Sequence, residues 1–192
     1  EVEYFQMVMR TAIKGIYEFM LGKPLTVDIY EIEQPDVVLW AIWSIQQYAK
    51  KVGFEQAQQE YGDVVKDILA YIENGKHINI TVRDNGLLHT EGREKPMTWM
   101  NSMANGRPVV PRTGYVVEIN ALWYNALMFC AELTRIAGDA ETAIDLEKRA
   151  ALTKESFQKT FITEAGYLLD YVEEGIEDLN VRPNMIFAVA LD

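Results

Sequence analysis

Apolar residues along this chain recur at three- and four-residue intervals, which is the spacing of helices with one buried face. In residues 36–51, DVVLWAIWSIQQYAKK, the residues Leu39, Trp40, Ile42 and Trp43 form a wide apolar face, and Gly53 stops the run. Residues 54–74 predict a second, more polar helix with Tyr61, Val64, Val65, Ile68, Leu69 and Ile72 at helical spacing, ended by Asn74-Gly75. Residues 118–137 predict a third that is apolar nearly all round and ends at Gly138. Asp139 then caps an amphipathic helix over residues 140–161, and a further apolar helix begins near Asn184. Residues 1–21 have helical spacing too, with no capping residue in front of them.

The order is therefore an apolar helix followed by an amphipathic one, twice over. Each pair leads into a long connection, residues 75–117 and then 162–183, where ITVRDNGLL and GYLLDYV read as short strands or turns. A helix apolar on all sides lies inside something, and an amphipathic one covers it. The pattern thus predicts an all-α fold, an α/α toroid of inner and outer helix pairs, with residues 1–192 forming part of one such domain. The inner helices would run parallel and open on one mouth, where free backbone N–H groups and the positive dipole ends favour carboxylates and polar ligands. Their polar entries are QPD at 34–36, VEIN at 117–120 and RPN at 182–184, which puts Asp36, Glu118, Asn120 and Asn184 at one rim. Taken singly, Asp36, Glu118 and Asn184 read better as helix caps and first-turn acids that satisfy the helix dipole. Trp40, Trp43, Trp99, Trp123 and Tyr124 are equally well core.

Charge and composition narrow the ligand. A net charge of −11 leaves nothing to neutralise phosphates and argues against nucleic acid and anionic membrane surfaces. No apolar run approaches the ~18 residues of a membrane span. One cysteine, Cys130, allows no internal disulfide and points to a reducing, cytoplasmic setting. Two histidines make a zinc site a poor reading, and neither a metal nor a cofactor is expected. The absent cap before residue 1 and the apolar RPNMIFAVALD at the other end read as a segment of a larger domain. Such a segment is expected to self-associate through residues 1–21 and 185–191. What remains distinctive is the combination of aromatic rings, carboxylates and amides at repeated helix entries. Flat apolar faces beside hydrogen-bonding groups suit sugar rings, which have CH faces and hydroxyl edges.

DNGLLHTEG, followed by MTWMNSMANGRPVVPRTGYVVEINALWYNAL, resembles the C-terminal catalytic domain of glycogen debranching enzymes, the amylo-α-1,6-glucosidase family. QPDVVLWAIWSIQQY and VRPNMIFAVAL resemble two further segments of that family, in the same order. The resemblance implies a partial (α/α)6 barrel that hydrolyses α-1,6-linked glucose at branches of glycogen or a related α-glucan. It also implies an inverting mechanism, with one carboxyl as general acid and a second as base on a water. The family's acid is the aspartate of a TWMD motif, and here that position is Asn101. An amide donates no proton to a leaving alkoxide, and a general acid contributes ~10²–10⁴-fold. The second carboxylate is expected beyond residue 192.

By the same resemblance Asp36 is a substrate-contacting carboxylate. Glu118 is a candidate stand-in for the catalytic acid, and its role is either sugar contact or structural, with Arg112 as its partner in the second case. Trp99, Asn120, Trp123 and Asn184 are the other substrate-binding candidates. Glu91 and Glu94, flanked by Gly92, Arg93 and Lys95, read as solvated surface. Two functions stay open: a debranching hydrolase, or a catalytically silent α-glucan-binding relative. A helical scaffold for a protein ligand fits less well, because it needs no amides and carboxylates at buried helix entries.

Overall fold

A computed structural model describes residues 1–92 and 94–191. Five long helices dominate it: α1 (Val2–Met20), α2 (Pro35–Val52), α3 (Phe54–Glu73), α4 (Val117–Ile136) and α5 (Ala140–Phe161). Their ends follow local rules. Pro35 occupies the first turn of α2, where a missing N–H costs nothing, and Gly53 terminates it at φ 103°. The Asp139 side chain accepts from the Thr142 amide at 3.1 Å and so caps α5.

Within each pair the first helix is the more buried. Fifteen residues of α4 are buried against five of α5. This follows from composition, since α4 is apolar all round and α5 is charged on its outer face. Helices α2 and α4 lie side by side in the same direction. Asp36 and Glu118 interact at their N-terminal ends, Asn125 Nδ2 donates to Gln46 Oε1 at 2.8 Å further along, and Phe54 meets Phe129 edge-on at 6.1 Å beyond that. Helix α1 packs across α2 and α3, with Phe5 stacked on Tyr48 at 4.8 Å and the Tyr17 hydroxyl donating to Asp67 at 2.6 Å. Its Tyr4 and Met7 stay exposed.

The all-α expectation is wrong. Residues 75–117 and 162–183 fold into an antiparallel sheet of β1 (Ile80–Val82), β2 (Leu88–Thr90), β5 (Gly114–Val116), β6 (Tyr171–Glu173) and β7 (Ile176–Glu177), ordered β1-β2-β5-β6-β7. A separate hairpin joins β3 (Met103–Ala104) and β4 (Arg107–Pro108). The fold is mixed α and β. Strands of two or three residues are too short to show a period of two, and β5 pairs with β6 across more than fifty residues of intervening chain. The sheet joins the two long connections to each other, and it positions the helix entries. β5 runs directly into α4, and the Asn120 side chain clips β2 to the first turn of α4. It accepts from the Leu88 amide at 2.7 Å and donates to the Leu88 carbonyl at 3.0 Å. After β7 the chain turns through a 3-10 turn (Pro183–Ile186) into the short α6 (Phe187–Ala190), which packs on α4. No described helix is long and apolar enough to cross a membrane.

Candidate functional site

The entries of α2, α4 and the 3-10 turn before α6 meet at one place. Asp36, in the first turn of α2, is almost fully buried and accepts from the Trp99 amide at 2.7 Å through Oδ2, with the Trp40 side chain close by. Glu118, in the first turn of α4, is entirely buried. Its Oε2 accepts from Arg112, and its Oε1 accepts from Asn184 Nδ2 at 2.9 Å.

Arg112 also donates to Asp170 Oδ2 at 2.6 Å, and Arg182 reaches the same oxygen at 2.6 Å while donating to Asp178 at 3.0 Å. Arg112, Glu118, Asp170 and Asn184 are all without exposed surface. Arg112 takes a left-handed backbone conformation, φ 51°, which is uncommon for a residue with a side chain and is held here by Thr90, whose hydroxyl donates to the Arg112 carbonyl at 2.8 Å. The network therefore ties the loop before β5, the start of β6 and the entries of two helices into one buried unit.

Charge in this unit is uneven. The two guanidiniums are taken up by Glu118, Asp170 and Asp178. Asp36 pairs with N–H groups only, and its charged neighbour is Glu118, a like charge. Burial raises the Asp36 carboxyl from 3.8 to about 7, against the Trp99 amide bond, and Glu118 adds to the rise. Glu118 is also raised by burial, with Arg112 opposing. Three buried acceptors of this unit have no hydrogen-bond partner among the described residues: Asp36 Oδ1, Asp170 Oδ1 and Asn184 Oδ1. Orphaned buried acceptors are rare in folded proteins and call for an explanation.

Aromatic rings flank Asp36. Phe187 stands edge-on to Trp40 at 5.0 Å and to Trp99 at 6.4 Å, and Trp40 meets Trp43 at 5.5 Å. Trp99 is 47% exposed. Phe187 also lines an adjoining cleft of about 370 Å³ between α4, α5 and α6, with Tyr124, Phe157 and Tyr167. A more polar cleft of about 500 Å³, lined by Arg83, His89, Glu91 and Lys95, shares no residue with the Asp36 cluster.

A family model described as amylo-alpha-1,6-glucosidase matches residues 28–192. The chain belongs to the amylo-alpha-1,6-glucosidase family. That makes it a glycoside-hydrolase-type domain related to glycogen debranching. No curated protein matches it. Helix α1 lies wholly before the matched segment.

Seen as an amylo-alpha-1,6-glucosidase domain, the chain sorts the sequence candidates into three groups. Asp36, Glu118 and Asn184 come together, and Trp99 stands beside Asp36. Asn101, at the motif position of the family's acid, is exposed, and its Nδ2 donates to Glu31 Oε2 at 3.3 Å. Asn120 and Trp123 point elsewhere. Asn120 spends its amide on Leu88 and the Val116 carbonyl, and Trp123 is 2% exposed with its indole N–H on the Gly86 carbonyl at 3.2 Å. Both are committed to the protein interior, because side chains on the faces of α4 that carry them meet β2 and the β1–β2 turn. Glu118 has both oxygens taken, by Arg112 and Asn184, and is the acid of an ion-pair network.

Asn120→Ala is expected to leave the Leu88 amide and carbonyl unpaired and to cost about 1–3 kcal/mol of folding stability. Urea denaturation checks the loss.

Trp40, Phe187, Asp170, Arg182 and Glu31 join the site without being among the candidates that the sequence singles out. Trp40 lies one turn beyond Asp36 on the same helix face, a spacing legible in the sequence. The others depend on chain folding. Of the loop acids, Glu91 is exposed and pairs with Arg83 at 3.1 Å, and Arg93 lies outside the described residues.

Proposed function

We propose that this chain binds the α-1,6-linked glucose at a branch of glycogen or a related α-glucan, and that it belongs to a debranching glucosidase. The observation that carries this reading is the group of buried, unpartnered acceptors around Glu118, with Asp36 Oδ1 and Asn184 Oδ1 beside the aromatic rings and Asp170 Oδ1 behind them. Sugar hydroxyls are donors that such acceptors would take. The aromatic faces of Trp40, Trp99 and Phe187 beside them suit the CH face of a pyranose ring. The ligand is neutral, in keeping with the strongly acidic chain. Hydrolysis of this bond uses water and two carboxyl groups and requires no cofactor.

Asn101 favours a second reading, a relative that holds glucan without cleaving it. An amide at the motif position supplies no proton to the leaving oxygen. Glucose release from a dextrin bearing single-glucose branches separates the two, measured for the protein and for Asn101→Asp. Release by the unmodified protein establishes a hydrolase. Binding without release, together with a gain of ~10²–10⁴-fold in Asn101→Asp, establishes the silent relative. A protein that neither binds nor cleaves the dextrin overturns both.

A further inference from the structure

Helices α1 and α3 run side by side in the same direction. Phe5 meets Tyr61, the Tyr17 hydroxyl donates to Asp67, and Phe19 meets Tyr71, in that order along them. Both helices close in the same way. Gly22 and Gly75 take left-handed backbone, φ 63° and 64°. The amide of the following lysine then reaches back to the last turn, from Lys23 to the Glu18 carbonyl at 2.8 Å and from Lys76 to the Tyr71 carbonyl at 3.1 Å. The residue after such a glycine is frequently apolar and folds back onto its own helix. Here it is a lysine twice.

A cleft of about 650 Å³ lies between the two ends. Its floor includes Phe19 and Tyr71, which stand edge-on to each other at 6.2 Å and to the buried His77 at 5.6 and 5.9 Å. Its rim carries Leu21, Leu25 and Ile78, which are 63%, 40% and 67% exposed. These side chains stand on fixed backbone. Beside Leu25, Glu18 accepts from the Thr26 amide at 2.8 Å and from its hydroxyl at 2.6 Å. Beside Ile78, the Asn79 amide donates to His77 Nδ1 at 3.2 Å, and the Asn79 side chain donates to the Glu33 carbonyl at 2.8 Å.

Lys23 and Lys76 are the only charged side chains among the described residues that line this cleft. Neither pairs with a carboxylate among the described residues. The acids of the two last turns are committed elsewhere, Glu18 to Thr26 and Glu73 to Arg149. Two unpaired cations beside exposed apolar groups stand out on a chain of net charge −11. A site for a small molecule encloses most of it. Here the apolar side chains face outward around an open cleft with a polar rim, which is the character of a protein-binding patch.

We infer that the ends of α1 and α3 form a docking surface for another protein, one that presents a bulky apolar side chain flanked by carboxylates. The apolar side chain enters between Leu21, Leu25 and Ile78 onto the rings of Phe19 and Tyr71, and the carboxylates pair with Lys23 and Lys76. The fixed backbone leaves little to order on binding. Rim cations steer an acidic partner and make its binding sensitive to salt. The surface uses none of the residues around Asp36 and is independent of the glucan reading.

The probe is a short peptide that alternates leucine with glutamate, and its control alternates leucine with lysine. Calorimetric titration is expected to show binding of the acidic peptide and none of the basic one. Lys23→Gln combined with Lys76→Gln is expected to weaken that binding about tenfold and to flatten its salt dependence. Leu25→Ser combined with Ile78→Ser is expected to weaken it about tenfold as well. All four side chains are exposed, so both variants should fold, and circular dichroism verifies this. Equal binding of the two peptides, no binding of the acidic one, or unchanged binding by the lysine variant would overturn the surface. A dimer that dissociates in the lysine variant, seen by sedimentation, would overturn it too, because the occupant would then be a second copy of this chain.

Discussion

Replacing Arg112 by methionine is expected to cost about 3–5 kcal/mol of folding stability, enough to unfold most of a marginally stable domain. The guanidinium is wholly buried and bridges Glu118 and Asp170, which are wholly buried as well. Removing the cation leaves two carboxylates in a medium that solvates them poorly, with only Asn184 and Arg182 still in reach. The loss is that of stranding a charge, which is why it exceeds the worth of an exposed ion pair, about 0–1 kcal/mol.

The contrast is testable within the chain. Lys159→Met breaks the exposed pair with Glu155 and should change stability by less than about 0.5 kcal/mol. Urea denaturation of both variants checks the ranking. Equal effects would mean that the Arg112 network is not the buried tie described here. Converting the whole cluster to apolar residues should be far less harmful than removing its cation alone, since no charge is then left behind.

Asp36→Asn should stabilise the fold by about 4 kcal/mol at pH 8 relative to the unmodified protein, and by little at pH 4. The Asp36 carboxyl titrates near 7 when folded and near 3.8 in its ordinary state, so between these values the folded chain holds a proton that the unfolded chain has released. Stability contributed by the protonated form is complete below pH 4 and is lost as pH rises to about 7. The amide has the same shape, can still accept from the Trp99 amide, and never ionises. The difference between variant and parent should therefore grow across that window, whatever other groups do in both. A pH-independent difference would sink the claim. The same substitution is expected to weaken branched-dextrin binding, since an amide oxygen is a poorer acceptor for a sugar hydroxyl than a carboxylate. A residue that costs stability at neutral pH and contributes binding is the trade expected at a functional site.

Much of the helical framework is legible from the sequence by itself. The period of 3.6 is a local property, and the helices over 36–51, 54–74, 118–137 and 140–161 match α2 to α5 to within a few residues at either end. The difference between inner and outer helices is also local, because it is written in how far round each helix the apolar residues extend. The family was legible too, from a long run of consecutive residues around PRTGYVVEINALWYNAL.

Tertiary structure alone decided the rest. The sheet escaped because its strands are two or three residues long and their partners are distant in sequence. Asn120 and Trp123 sit in the same polar and aromatic run as Glu118, yet successive helical positions point about 100° apart, so neighbours in sequence face β2, the interior and the Asp36 cluster in turn. Which acids are free and which are tied depended on where Arg112 and Arg182 came to rest, and the Glu31–Asn101 contact joins residues seventy apart. A side chain's chemistry is set by its type, but its availability is set by what the folded chain brings against it.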